Sequence, residues 1–121
     1  MNLNEVLDLE VFENKEVEEI SFAENSYDFY KTERYLDNGD RPFARYFFVD
    51  ARDGLIGHFI ENGFEAFEHF QSELFLDEFF SHQTDLRLNL YLFLISDKTD
   101  NPICEKITQN TEYCRKYVLN L

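Results

Sequence analysis

LRLNLYLFLISDKTDNPICEKITQNTEYCRKYVLNL, residues 86–121, carries the clearest local signal in the chain. Eight of the ten residues Leu86–Ile95 are apolar, counting Tyr91. The even positions, Leu86 through Leu94, form one uniform apolar face. The odd positions begin polar at Arg87 and Asn89 and turn apolar at Tyr91, Phe93 and Ile95. A strand half exposed at its start and covered on both faces at its end has this pattern. Ser96–Asn101 is turn-rich, Asn101 suits a helix N-cap, and Pro102 suits the first helical position. Ile103, Ile107, Asn110, Cys114 and Val118 then fall on one stripe, broadened by Tyr113 and Tyr117. That spacing predicts a helix over 102–119, with Glu105 early and Arg115-Lys116 late to suit its dipole.

Upstream, FARYFFVD at 43–50 is apolar on most of both faces and reads as an internal strand. Leu55, Ile56, Phe59, Ile60, Phe64, Phe67, Phe70 and Leu74 recur at helical spacing, which predicts a helical stretch over 55–80. Asn62-Gly63 is a natural place to break it in two. Tyr27, Tyr30, Lys31, Arg34 and Tyr35 recur at three and four, predicting a helix over 25–36 that stops at Asp37-Asn38-Gly39-Asp40. Ile20–Phe22 reads as a brief strand, and residues 3–14 as either a helical turn or two or a short edge strand. The expected fold is α+β, a single domain over 1–121. Strands near 43–50 and 88–95 centre a small mixed sheet, packed against three or four helices. The helical stretch between those strands is long enough for a parallel crossover.

Charge is distributed unevenly. Residues 1–40 carry 12 acids and 3 bases, and residues 61–85 carry 7 acids and no base. Residues 86–121 carry 4 acids and 5 bases, so the deficit behind the net −14 lies in two blocks. Such a surface repels phosphate backbones, which argues against direct nucleic-acid binding and suits a basic protein partner. Fourteen Phe and seven Tyr are more aromatic side chains than a domain this small easily hides, so some are expected at an interface. No apolar run is long enough to span a membrane, and MNLNEVLDLE is not a secretory leader. The two cysteines, Cys104 and Cys114, lie about 15 Å apart along the expected helix. They are read as reduced, and the compartment as cytoplasmic.

No catalytic or cofactor motif emerges. The chain has no phosphate-binding glycine loop, no GxSxG and no HExxH. Glu65 and His69 are spaced to share a helix face, but the further inward acids of a carboxylate metal bundle are missing. His58, His69 and His82 are therefore read as surface histidines, and no metal, cofactor or catalytic residue is assigned. Glu61, Glu65, Glu68 and Glu73 line the polar side of the 55–80 stretch. Carboxylates so placed can imitate a phosphate array and block a nucleic-acid-binding channel, as an acidic inhibitor or immunity protein does. Phe79 and Phe80 close that stretch as a candidate aromatic contact.

YLFLISD and NPICEKITQNTEYCRKYVL, within Tyr91–Leu119, resemble the small middle components of bacterial ABC-three-component antiphage defence systems. The shared features are an apolar strand ending in Ser-Asp and then a helix carrying the Glu105-Lys106-Ile107 and Cys114-Arg115-Lys116 triplets. The resemblance implies a non-enzymatic adaptor bound to an SMC-like ABC ATPase, with Arg115 and Lys116 at the contact surface. Two functions are thus expected: an acidic protein-interaction subunit, or an inhibitor of a basic nucleic-acid-binding protein.

Overall fold

A computed structural model describes residues 2–9, 12–35, 39, 42–80 and 89–121. In chain order the elements are α1 (Leu3–Leu7), β1 (Glu13–Phe22), β2 (Asn25–Tyr35), β3 (Pro42–Asp50), α2 (Leu55–Asn62), α3 (Phe64–Phe80), β4 (Asn89–Ile95), α4 (Pro102–Gln109) and β5 (Arg115–Leu119). The strands form one mixed sheet in the order β1-β2-β3-β4-β5. The first three make an antiparallel meander, and β3, β4 and β5 run parallel. The fold is α+β, as expected, with strands where FARYFFVD and LYLFLI predicted them.

Two expected helices are corrected. Residues 25–35 form β2, not a helix. The β1–β2 hairpin turns on Ala23 and Glu24, both at positive φ (52° and 64°). That is what a type I′ turn demands of its central residues. Ala-Glu is not the usual composition for such a turn, so no local signal marks the hairpin. Once turned, Tyr27, Phe29 and Lys31 share one face and Asp28, Tyr30 and Thr32 the other, a period-2 pattern hidden beneath the tyrosine spacing. The helix expected over 102–119 ends at Gln109. Asn101 caps it as anticipated, its side chain accepting from Ile103 N at 3.0 Å, with Pro102 at the first position. Asn110 leaves the helical region at ψ 130°, Tyr113 sits at φ 68°, and Arg115–Leu119 pairs in parallel with β4. The unit is therefore β4–α4–β5, a compact parallel crossover.

The break expected at Asn62-Gly63 is present: Gly63 ends α2 at φ 87°, ψ −179°, a backbone open to glycine almost alone. The ambiguous N-terminus is helical, capped by Asn2, whose side chain accepts from Glu5 N at 2.9 Å. The turn expected at 37–40 (Gly39 apart) and the loop at 81–85 lie outside the described residues.

Apolar side chains fill both faces of the sheet. On one face Phe47, Val49, Leu92 and Leu94 meet Leu55, Ile56 and Phe59 of α2, Phe67, Phe70 and Phe75 of α3, and Ile103 and Ile107 of α4. On the other, Phe48 and Ile95 are covered by Leu3 and Leu7 of α1, with Phe12, Tyr46 and Phe93 packed beside them. This two-sided core explains where the phenylalanines go. Phe22, Phe29, Phe47, Phe48, Phe59, Phe67, Phe70 and Phe75 are all buried. The large apolar side chains that stay exposed among the described residues include no phenylalanine.

Candidate functional site

A broad concavity lies where β3 ends and α2 begins. Its volume is about 900 Å³. Ser26, Asp28 and Tyr30 of β2 form one wall, and Asp50, Asp53, His58 and Glu61 another. Open α/β sheets keep ligand crevices outside the carboxyl ends of their parallel strands, and this cleft sits at the end of β3.

The charge pattern follows from strand register. Glu19 of β1 is paired with Asp28 of β2. Phe29 is paired with Val49, so the antiparallel step beyond brings Asp28 beside Asp50. Three carboxylates thus stand on adjacent strands of one face; of these Asp28 and Asp50 line the cleft, together with Asp53 of the following turn and Glu61 of α2. Like charges placed across a sheet are destabilising, so the alignment costs the fold stability. Asp50 is relieved by Arg52, whose Nη2 and Nε donate to its carboxylate at 2.6 and 2.8 Å. Hydrogen bonding from that guanidinium holds the Asp50 carboxyl below its ordinary range. Ser26 Oγ donates to Glu19. Among the described residues lining the cleft there is no Lys or Arg.

The expected contact residues separate. Glu61 lies in α2 and lines this cleft, whereas Glu65, Glu68 and Glu73 lie on α3 beyond the Gly63 break. One continuous acidic helix face is therefore not formed. Glu73 lies 3.7 Å from His69, one turn further along α3. The side chains of Phe79 and Phe80, in the last turn of α3, lie outside the described residues. Arg115 is exposed, but Lys116 is not: it retains 3 % of its accessible surface. Successive strand residues point to opposite faces, and Lys116 falls on the helix-covered one. Its ammonium donates to the carbonyls of Asn110, Glu112 and Cys114 at 3.3, 2.5 and 2.8 Å. Of the expected contact pair only Arg115 is exposed; Lys116 is buried and ties down the α4–β5 turn.

Cys104 and Cys114 are free and buried, one in α4 and the other just before β5 rather than on a common helix. Burial pushes the Cys114 thiol up to about 11 and raises that of Cys104 as well. His58 and His69 both stand edge-on to Phe22, with centroids 5.4 and 5.6 Å away. His82 lies outside the described residues. No group of three or more His, Cys, Asp or Glu among the described residues is placed to hold a metal ion. No helix among them is long and apolar enough to cross a membrane.

The aligned carboxylates were missed in the sequence because they come from four separate segments. The only available signal was the acid density of residues 1–40, which the β1–β2 hairpin folds back on itself. No protein-family model, curated protein or solved structure matches this chain significantly.

Proposed function

We propose that the protein is a non-enzymatic, cytoplasmic protein-interaction subunit that receives a basic segment of its partner in the acidic cleft. The observation that carries this reading is that Asp28, Asp50, Asp53 and Glu61 line one cleft with no lysine or arginine among its described lining residues, while Glu19 is paired beside Asp28 and Arg52 offsets Asp50 alone. An arrangement that weakens the fold is retained where a ligand of opposite charge uses it. Fast, salt-sensitive association would follow from the field of a −14 domain. The resemblance at Tyr91–Leu119 supports an adaptor role on an SMC-like ATPase in an antiphage defence complex. Both thiols lie buried and protonated, which suits a role without nucleophilic chemistry. The alternative of a phosphate-mimicking inhibitor needs a rigid acidic array, and the Gly63 break between Glu61 and Glu65 divides it.

The test compares two charge reversals as bait in capture from the encoding cells. Asp28→Lys with Asp53→Lys should abolish recovery of the partner seen with the wild type, and 0.5 M salt should do the same. Glu65→Lys with Glu68→Lys should leave recovery intact. Loss with the α3 pair and retention with the cleft pair would transfer the function to the mimic reading.

A further inference from the structure

The two outer strands of the sheet differ. β1 carries exposed Glu13, Lys15, Glu16, Glu18 and Glu19 and a register shift between Glu13 and Glu16. Charge and irregularity of that kind keep a sheet edge from pairing. On β5 only Arg115 is an exposed charge, and its ladder to β4 is regular from Arg115 to Leu119. Ser96 N–H donates to Leu119 O at 2.8 Å, which fixes the alternation of that ladder. Arg115, Tyr117 and Leu119 turn their backbone groups toward β4, and Lys116 and Val118 turn theirs outward. The edge is closed just before them. Cys114 N–H already donates to Glu112 O, and Cys114 O accepts from Lys116 Nζ. Ring stacking crosses the strands and stops at the same edge. Phe48, Phe93 and Tyr117 are register partners on β3, β4 and β5, with centroids 5.0 and 5.2 Å apart and planes at 14° and 19°. Phe48 is buried, whereas Tyr117, last in the stack, is 41 % exposed.

We infer that a second copy of this chain pairs along β5, antiparallel, about a two-fold axis at Tyr117. In that register Lys116 faces Val118 of the other copy, and their outward N–H and C=O groups bond to each other. Tyr117 meets its own counterpart at the non-hydrogen-bonded position, where side chains approach most closely, so the ring stack runs on into the second copy. Arg115 falls opposite Leu119, and no like charges face each other across the ladder. The edge is thus complementary to itself, as a two-fold interface requires, and that selects a second copy over an unrelated strand. Residues 86–121, with 4 acids and 5 bases, are also the part of this acidic chain where two copies repel least. β2, a wall of the acidic cleft, lies toward the opposite edge of the sheet, so a dimer leaves both clefts open.

The test is sedimentation equilibrium of the full chain joined to disulfide trapping. So short an edge buries less than the roughly 1,200 Å² of a stable complex, so half-dimerisation is expected at about 0.1–1 mM protein. Raising salt from about 0.05 to 0.5 M should tighten the dimer several-fold by screening two acidic bodies, the reverse of its effect on the cleft. Tyr117→Lys, an exposed change, sets like charges against each other across the axis and should leave a folded monomer. On mild oxidation Tyr117→Cys should form a disulfide-linked dimer, since facing Cα atoms at that position stand about 4.5 Å apart. Arg115→Cys and Leu119→Cys should each stay unlinked alone and link when mixed. Cys104 and Cys114 are buried and do not compete. A monomer throughout this concentration range overturns the inference, and so does a dimer that withstands Tyr117→Lys. Trapping of Arg115→Cys alone as fast as Tyr117→Cys overturns the register. A dimer trapped instead by Val17→Cys places the contact on β1 and overturns the assignment to β5.

Discussion

Replacing Lys116 by Met tests whether that ammonium serves the fold or the surface. Its three carbonyl acceptors belong to Asn110, Glu112 and Cys114. The Glu112 carbonyl still accepts from Cys114 N at 2.8 Å once the ammonium is gone. Asn110 is half-buried and Cys114 buried, and their carbonyls would lose a partner. Each buried carbonyl so orphaned costs about 1–3 kcal/mol. The methionine side chain recovers part of this by burying as apolar surface without the ammonium's desolvation penalty. A net loss of about 3 kcal/mol follows. In urea monitored by circular dichroism the midpoint should fall by about 1.5–2 M, at a slope of about 1.5–2 kcal/mol/M. Melting should drop by roughly 10–15 °C. Arg115→Ala, next door and exposed, should stay within about 0.5 kcal/mol of wild type. If Lys116→Met unfolds within about 0.5 kcal/mol of wild type, the three hydrogen bonds contribute nothing beyond the cost of burying the charge, and the reasoning fails.

Four further outcomes follow from the geometry. Gly57 lies inside α2 with a helical φ and open space around a built Cβ, so Gly57→Ala should stabilise by about 0.5–1 kcal/mol. Gly63→Ala should destabilise by about 1–3 kcal/mol, because its positive φ with extended ψ excludes a Cβ-bearing residue; paired thermal melts check both. Phe59, fully buried against Phe22, Phe67 and Phe70, should cost about 3–5 kcal/mol as Phe59→Ala in the same urea assay. At alkaline pH, Cys114 keeps its proton up to about 11 in the folded chain but loses it near 9 once unfolded. The folded state then binds the extra proton, so this contribution is complete below pH 9 and falls by roughly 2–3 kcal/mol across that window. Lys116 acts in the opposite sense, since burial lowers its pKa and the unfolded chain holds the extra proton. Cys114→Ala should therefore lose stability less steeply between pH 9 and 11 than wild type in stability measured by urea titration at each pH.

The fold was legible where one period ruled and its end signals agreed. LYLFLI, FARYFFVD and the Asn101-Pro102 cap all point the same way locally, and all are found. The reading failed where two periods overlay. In β2, the tyrosines at 27, 30 and 35 mimic a helical stripe, while cross-strand pairing with β1 and β3 decides the conformation. At the C-terminus, Cys114 and Val118 continue the helical stripe of Ile103 and Ile107. Parallel pairing of β5 with β4 is a tertiary choice that no local propensity announces. The candidate cleft was legible only as a regional excess of acid. Its geometry depends on the register that sets Glu19 against Asp28, and register is invisible until the hairpin is known.

The same strand order also fixes the sequence of events during folding. The β1–β2 hairpin closes across two residues, whereas the β3–β4 ladder joins Ala44 to Asn89 and Asp50 to Ile95. Closing that long excursion costs entropy before any ladder bond repays it. Sequence separation favours pairing of β1, β2 and β3 ahead of the β3–β4 ladder, which leaves one edge of β3 unmet until the second half of the chain returns. Phe47 and Phe48, buried in the finished sheet, lie on the strand whose second edge is completed only by that long-range ladder.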